Sequence, residues 1–206
     1  MPNGFNMYLD VHTHAQSHAN NSVAFYSLGI HPEEIEDNLS EKKQILERYS
    51  ILDCVIAIGE AGLDKTYNTN FDLQKDVFSY QIHLSEKIKK PLIIHCVKAF
   101  DELIALKKEI KPQQNWIIHG FRGKPEQMQQ LVQHDIYFSF GMYFNEETIQ
   151  QIPINRLFLE TDNSDISIQE VYHKIAKCLP LSEDKLILQI EKNFAKIFFN
   201  RTFAAS

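Results

Sequence analysis

The hydrophobic positions of the chain fall into short runs that are separated by longer amphipathic stretches. Six runs have the length of a buried strand, are rich in branched or aromatic residues and are bounded by Pro, Gly, Asn or Asp. They are "VAFYSLGI", "CVIAIGE", "PLIIHC", "NWIIHGF", "DIYFSFG" and "RLFLETD", and the opening "MYLDV" makes a seventh. We expect these runs to form parallel core strands.

Helical patterns lie between the runs. Leu73, Val77, Leu84 and Ile88 recur at spacings of four and seven, with Asn70 placed as an N-cap and lysines closing the last turn. This spacing predicts a long amphipathic helix between the second and third of the six runs.

A second helical pattern lies near the C-terminus, with Ser182 as its candidate N-cap. Its apolar stripe consists of Ile187, Ile190, Phe194 and Phe198. Strands that alternate with helices predict an α/β fold with a parallel sheet. We expect a single domain over residues 1–206, with about seven strands.

Side chains of the types that bind metals stand where five of these strands end. They are His12 and His14, Glu60, His95, His119, and Asp162. One strand-end histidine, or one His-x-His pair, is more often structural than a metal ligand. The carboxyl ends of parallel strands in a barrel meet on one face, however, and that face carries the active site. Because burying four histidines and two carboxylates without partners is costly, the joint pattern favours a pair of divalent cations.

Composition and charge restrict the function. The chain has 206 residues, 44% hydrophobic and 23% charged, which is enough for a sizeable core. The net charge of -6 leaves no basic stripe, so tight passive binding to long duplex DNA is disfavoured. A small phosphate substrate held by bound metal stays compatible with this charge.

The cysteines and the apolar segments indicate the compartment. Cys54, Cys96 and Cys178 are widely spaced and form no Cys-x-x-Cys pair, which is typical of neither a disulfide framework nor a zinc ribbon. The opening lacks a signal-peptide pattern, and no apolar run is long enough to span a membrane. We expect a cytoplasmic protein with no membrane association and no obligate protein partner.

Several segments, in this order, resemble motifs of one known family: "DVHTH", "GIHP", "AIGEAGLD", a helix that carries Gln74, "PLIIHC", "IIHGFRGKPEQ", "YFSFG", "LFLETD" and "EKNFAKIF". The chain resembles the TatD family of metal-dependent deoxyribonucleases, in the amidohydrolase superfamily. The resemblance implies a TIM-type (β/α) barrel. Only about sixteen residues separate His14 from His31, so we expect a distorted barrel short of eight strand-helix units.

The resemblance implies a set of metal ligands that agrees with their chemistry. His12 and His14 would hold one ion with Asp162, His95 and His119 would hold a second, and Glu60 would bridge both. Mixed imidazole and carboxylate ligands suit Zn or Mn, while Mg stays a plausible activating ion.

The resemblance also implies hydrolysis of phosphodiester bonds, as in a deoxyribonuclease or exonuclease acting on single-stranded DNA or short nucleic acids. The expected nucleophile is a hydroxide that bridges the two metals, with Glu60 holding both ions. Asp162 is the candidate that accepts the proton of water, and a role as metal ligand alone is about equally compatible with it. The charge of the two cations would leave a net positive pocket for an anionic phosphodiester.

Four further residues are assigned weaker roles. The resemblance implies that His31 faces the substrate phosphate, and a structural role in fixing the turn before Pro32 is about equally compatible. Lys98 and Arg122 are further candidates for contacts to the phosphate, and a solvated role is about equally compatible with both. Glu160 shares a strand face with Asp162, so we expect it to support Asp162 or to contact a metal.

Some positions depart from the family pattern. Glu33 replaces a second histidine, Lys98 stands in the segment where an arginine is usual, and Asn163 follows "ETD" where a small residue is usual. A carboxylate repels phosphate, and Lys lacks the bidentate geometry of Arg. Two alternatives therefore stay open: hydrolysis of a small amide, lactone or phosphate ester, and a non-catalytic divergent member.

Overall fold

The computed structural model describes residues 7–14, 22–24, 26–35 and 38–199. The strands, in chain order, are β1 (Tyr8–Asp10), β2 (Ser22–Ala24), β3 (Tyr26–Leu28), β4 (Val55–Asp64), β5 (Leu92–Val97), β6 (Trp116–Ile118), β7 (Ile136–Phe140) and β8 (Leu157–Leu159). The α-helices are α1 (Leu39–Tyr49), α2 (Phe71–Ile88), α3 (Phe100–Ile110), α4 (Pro125–Val132), α5 (Glu146–Gln151), α6 (Ile168–Ala176) and α7 (Glu183–Phe199). Short 3-10 helices cover Pro32–Glu34 and Ile154–Arg156.

The described residues group into two compact units. The first unit takes the described residues before Tyr26, together with Gly120–Gln130 and the described residues from Tyr137 onward. The second unit takes the described residues of Tyr26–His119 and Leu131–Ile136. Among the helices described, none has both the length and the apolar character that crossing a membrane requires.

The second unit is built on a parallel sheet in which β3, β4, β5 and β6 pair in chain order. Adjacent residues of β4, β5 and β6, which point to opposite faces, are apolar and buried at Ala57 and Ile58, at Ile93 and Ile94, and at Trp116 and Ile117, as expected for a parallel sheet that helices cover. Ile58, Ile94 and Trp116 are fully buried, and Phe78 of α2 packs on Trp116 with ring centroids 5.6 Å apart.

Two glutamines of α2 attach this helix to the backbone of the sheet. The side chain of Gln74 accepts a hydrogen bond from the Asp64 N–H at 2.8 Å and donates one to the Asp64 carbonyl at 2.9 Å. One helical heptad further on, Gln81 makes the same two bonds to Ile30, at 2.7 and 3.0 Å. Both glutamines are buried, and each fixes the backbone beside a strand-end side chain.

The first unit contains two parallel strand pairs, β1 with β2 and β7 with β8. The N–H of Val11 donates to the carbonyl of Leu159 at 3.0 Å, which joins the end of β1 to β8. In α7, Asn193 donates to the Leu157 carbonyl at 2.8 Å and so anchors the start of β8. These bonds fix the two strands that carry the histidine pair and Asp162.

The structure confirms both helical patterns. Asn70 caps α2, because its side-chain oxygen accepts from the N–H groups of Asp72 and Leu73. The second helix, α7, begins directly after Ser182.

The expected strand "VAFYSLGI" is wrong as a single element. The described residues instead contain two short strands there, β2 and β3, separated by one residue. They separate because Val23 pairs with Leu9 of β1, whereas Tyr26 pairs with Val55 of β4. The described chain therefore has eight strands, one more than expected. Since no helix separates β2 from β3, the series of strand-helix units is incomplete, as the sequence predicted.

Candidate metal centre

The first unit brings together the histidine pair and Asp162. The Nε2 atoms of His12 and His14 lie 3.8 and 3.7 Å from the same Oδ1 atom of Asp162. The two imidazole rings meet edge to face with centroids 5.0 Å apart. His12 is buried and His14 is half exposed, so the group opens to solvent on the side of His14.

The backbone fixes this arrangement. The N–H of Asp162 donates to the His12 carbonyl at 3.0 Å, and the N–H of His14 donates to the Asp162 carbonyl at 3.2 Å. Asp162 has a φ of 53°, in the left-handed region that Asp tolerates better than most residues. The three side chains are therefore set by main-chain pairing as well as by their own contacts.

Asp10, which the sequence reasoning passed over, supports the same segment from inside. Its carboxylate accepts from the Thr161 N–H at 3.1 Å and from the Thr161 hydroxyl at 2.6 Å. Burial raises the pKa of Asp10 to about 6, and the bonds from Thr161 act in the opposite direction. Asp10 thus holds the residue that precedes Asp162.

The second unit brings together Glu60, His95, His119 and His31. The Oε1 atom of Glu60 lies 2.6 Å from Nε2 of His119, 2.9 Å from Nδ1 of His95 and 3.4 Å from Nε2 of His31. The rings of His31 and His95 have centroids 4.5 Å apart. One ligand atom each from His31, Glu60 and His95 lie within 4.8 Å of one another, which makes this trio a candidate metal-binding group.

Asp64 is a further carboxylate of this group, and the sequence reasoning did not assign it a role. Its Oδ2 atom lies 2.7 Å from Nε2 of His95, so both ring nitrogens of His95 face a carboxylate. Burial acts to raise the pKa of Asp64, but hydrogen bonds from His95 and Thr66 outweigh it and keep the pKa below its usual value. Asp64 lies four residues after Glu60 on the same face of β4, which is the signal that could have identified it.

Gly62 allows β4 and β5 to approach closely at this point. It pairs with His95 and has a φ of 155°, and a Cβ atom there would overlap the carbonyl oxygen of His95. A larger residue at 62 would therefore push Glu60 and Asp64 away from His95.

Both groups have the donor chemistry that divalent metals use. Imidazole and carboxylate ligands bind Zn or Mn at about 2.0–2.2 Å, so two ligands of one tetrahedral ion lie about 3.4 Å apart. The distances of 3.7 and 3.8 Å around Asp162, and of 3.4 Å between His31 and Glu60, are close to that spacing, whereas the 2.6 and 2.9 Å distances from Glu60 to His119 and His95 are those of direct hydrogen bonds.

The remaining candidate residues are Glu160, Arg122 and Lys98, and their surroundings differ. Glu160 is fully buried and accepts from the Gly120 N–H at 2.7 Å. Arg122 lines a cavity together with Glu160 and Asp162. Lys98 is exposed just beyond β5, with a φ of 55°.

Glu33 interacts with Tyr67, a contact that its position in the sequence did not predict. It raises the pKa of Tyr67 through its charge and a hydrogen bond, although burial of the Tyr67 hydroxyl is the larger cause. The Tyr67 ring stacks at 6.3 Å from that of His95. Glu33 is therefore within hydrogen-bond reach of the Tyr67 phenol.

Residues 3–199 match the family model described as TatD related DNase. An uncharacterized metal-dependent hydrolase of Buchnera aphidicola is 31% identical over 200 residues, covering 86% of this chain and 75% of that protein. A 3'-5' ssDNA/RNA exonuclease TatD of Enterobacter lignolyticus is 29% identical over 160 residues, covering 72% of this chain and 60% of that protein. The chain thus spans less than two thirds of the exonuclease.

Solved structures agree in fold. A TatD homologue of Escherichia coli superposes with a TM-score of 0.73 at 24% identity, covering 87% of this chain and 77% of that one. A TatD family hydrolase of Entamoeba histolytica gives a TM-score of 0.73 at 20% identity, with coverages of 88% and 76%. The parallel strands that alternate with helices, and these similarities, confirm the TIM-type (β/α) barrel as the fold class.

The chain belongs to the TatD-related DNase family. The resemblance read from the sequence motifs is confirmed.

Proposed function

We propose that the chain is a metal-dependent hydrolase that cleaves phosphodiester bonds of single-stranded DNA or short nucleic acids. The observation that carries this proposal is the cluster around Glu60, whose Oε1 atom lies 2.6 Å from Nε2 of His119 and 2.9 Å from Nδ1 of His95. The relatives support the type of bond, because they include the Enterobacter exonuclease and a protein of Schizosaccharomyces pombe named Deoxyribonuclease Tat-D.

The proposal assigns the metal ligands as the sequence predicted. His12, His14 and Asp162 would hold one divalent ion, His95 and His119 would hold another, and Glu60 would offer its carboxylate to both. Zn, Mn and Mg are the candidate ions. Bound divalent ions supply charge stabilisation for the phosphate and lower the pKa of water to about 7.

The residues of the chain then position the reactants and move the proton. The N–H of Glu33 donates to Nδ1 of His31 at 3.3 Å, so Nε2 of His31 carries the proton. The N–H at Nε2 of His31 is suited to donate to an anionic phosphate oxygen. Asp162 accepts the proton of the attacking water, and Glu60 acts by holding the ions.

Glu160 and the two cationic candidates complete the proposal. The buried carboxylate of Glu160 holds the Gly120 N–H and so supports the loop beside the cavity. Lys98 and Arg122 supply cations for the phosphate backbone of the substrate. The protein is proposed to act in the cytoplasm.

Both alternatives are less well supported. The names of the relatives favour phosphodiesters over small amides, lactones or phosphate esters. The retained imidazole and carboxylate donors argue against a non-catalytic protein.

The test is an assay of labelled single-stranded DNA beside a small chromogenic phosphodiester, with Mn, Mg or Zn added. We expect metal-dependent release of nucleotides, which His12→Ala and Glu60→Ala abolish. His173→Ala is the control, because the exposed His173 pairs with Glu183 outside both donor groups. Full activity in His12→Ala and Glu60→Ala, or no nucleotide release by the parent, would contradict the proposal.

A further inference from the structure

An exposed tyrosine stands at the edge of a cavity in the first unit. The cavity has a volume of about 440 Å³, and its lining includes Arg122, Tyr143, Asp162 and Asp165. This volume lies within the range of about 300–1,000 Å³ that is typical of small-molecule sites. Tyr143 is 68% exposed, so its ring is available to a ligand that enters the cavity.

The segment that carries Tyr143 is anchored on both sides. Lys174 of α6 donates from Nζ to the Met142 carbonyl at 2.9 Å, and the same Nζ lies 5.2 Å from the centre of the Phe144 ring. Asn145 then caps α5 by accepting from the Thr148 N–H at 3.0 Å. The ring is therefore presented by a fixed backbone, which lowers the entropy that binding would otherwise cost.

Arg122 lies against Tyr143 and is also held by its neighbours. Its Cζ atom is 5.4 Å from the centre of the Tyr143 ring. The Phe121 N–H donates to the Ser139 carbonyl at 3.0 Å, and the Gly123 carbonyl accepts from the Thr148 hydroxyl at 2.8 Å. The guanidinium thus packs over the Tyr143 ring as a cation–π pair, and a ligand can stack on the flat outer side of this pair.

The charges of the cavity indicate which part of a ligand it takes. Its lining holds three carboxylates, those of Glu160, Asp162 and Asp165, and the guanidinium of Arg122. A nucleobase is neutral, stacks on aromatic and guanidinium planes, and carries N–H groups that carboxylates accept.

We propose that Arg122 and Tyr143 form a platform on which a base of single-stranded nucleic acid stacks, with its nucleoside in this cavity. This inference rests on the proposed function and names the part of the substrate that gives affinity. Every base has a stackable face, so the platform selects single strands over duplexes without selecting sequence. Stacking requires an unpaired base, which a duplex end provides only after fraying.

The experiment compares two oligonucleotides of equal length: a fluorescein-labelled oligothymidylate, and its analogue with abasic residues in place of every base. Fluorescence anisotropy measures binding to the full chain in a chelator, where no cleavage occurs. The variants are Tyr143→Ala and Tyr143→Phe. Tyr49→Ala is the matched control. Tyr49 is an exposed tyrosine at the end of α1, and the centre of its ring lies 5.5 Å from Cζ of Arg48, so it also pairs with an arginine.

We expect Tyr143→Ala to weaken binding of the oligothymidylate about tenfold and to leave binding of the abasic strand unchanged. Tyr143→Phe, which keeps the ring, is expected to bind both strands like the parent, and so is Tyr49→Ala. With metal added, Tyr143→Ala should raise KM for the oligothymidylate about tenfold at constant kcat.

Three binding results would overturn the platform. They are an unchanged affinity of Tyr143→Ala for the oligothymidylate, an equal loss for both strands, and a parent that binds neither strand. A parent that binds the oligothymidylate through Tyr143 but cleaves no nucleic acid with any metal contradicts the proposed function alone. Cleavage that is insensitive to Tyr143→Ala contradicts the platform alone.

Discussion

His95 Nε2 lies 2.7 Å from Oδ2 of Asp64, while Nδ1 of the same ring lies 2.9 Å from Oε1 of Glu60. A carboxylate that accepts from one ring nitrogen leaves the other nitrogen with a lone pair for a metal. Asp64 therefore orients His95, and the face toward Glu60 is the one that can bind an ion.

Asp64→Asn tests this orientation. The amide can donate to Nε2 of His95 and so favour the wrong tautomer, while its oxygen still accepts from the Thr66 N–H as Oδ1 does at 2.7 Å. We expect Mn affinity, measured by calorimetric titration, to fall about 10- to 100-fold.

The control for Asp64→Asn is Asp72→Asn, since Asp72 is an exposed aspartate in the first turn of α2 that pairs with Lys75. Its Mn affinity should match that of the parent. An Asp64→Asn protein that binds Mn as tightly as the parent would show that Asp64 does not position His95.

Gln74→Leu removes the two hydrogen bonds between α2 and the backbone of Asp64. The N–H and C=O groups of Asp64 are then left buried without their partner, at a cost of about 1–3 kcal/mol each. We expect the free energy of unfolding, measured in urea, to fall by about 2 kcal/mol or more. Gln129→Leu, at an exposed glutamine of α4, should change it by less than about 0.5 kcal/mol, and equal effects of the two variants would contradict the role of Gln74.

The ion pair between Lys65 and Glu102 gives a pH-dependent expectation. The two charged atoms are 2.5 Å apart, and the hydrogen bond from Lys65 keeps the pKa of Glu102 below its ordinary value of 4.5. The stabilisation is complete above that ordinary pKa and is lost as the pH falls through the lower pKa of the folded protein. Lys65→Met should therefore lower the free energy of unfolding by about 0.5 kcal/mol at pH 7 and much less at pH 3.

Urea unfolding of the parent and Lys65→Met at the two pH values measures this difference. Lys185→Met provides a control at an exposed lysine of α7 and should change stability little at either pH. A Lys65→Met effect that is as large at pH 3 as at pH 7 would show that the charge of Glu102 is not involved.

The single-domain organisation over residues 1–206 gives a calorimetric expectation. The described residues form two compact units, and each is interrupted in sequence by segments of the other. We expect one cooperative thermal transition, with equal calorimetric and van 't Hoff enthalpies. Two resolved transitions in the metal-free protein would contradict a single domain.

The sequence was sufficient to predict which side chains stand at the ends of strands, because the periodicity of the strands and the order of the apolar runs can be read directly from it. His12 and His14 share a face by alternation, and Glu60, His95 and His119 each follow a buried apolar run. The structure places His12 and His14 beside Asp162 in one unit, and Glu60 beside His95 and His119 in the other. Their roles as metal ligands stay a prediction.

The supporting residues could not be predicted in the same way. Asp10 and Thr161 are 151 residues apart, and their contact depends on how β1 and β8 pair. The bonds of Gln74 depend on the tertiary position of α2, which periodicity does not specify. The break within residues 23–30 was missed because two short strands with different partners have the same apolar pattern as one longer strand.

The metal content of the purified chain, determined by elemental analysis, tests the central claim most directly. Two divalent ions per chain are expected in the parent, with one lost in the double variant His12→Ala/His14→Ala and one lost in His95→Ala. In the parent loaded with Mn, electron paramagnetic resonance should show two coupled ions if Glu60 bridges them. A parent that binds no divalent metal, or variants that retain two ions per chain, would contradict the account.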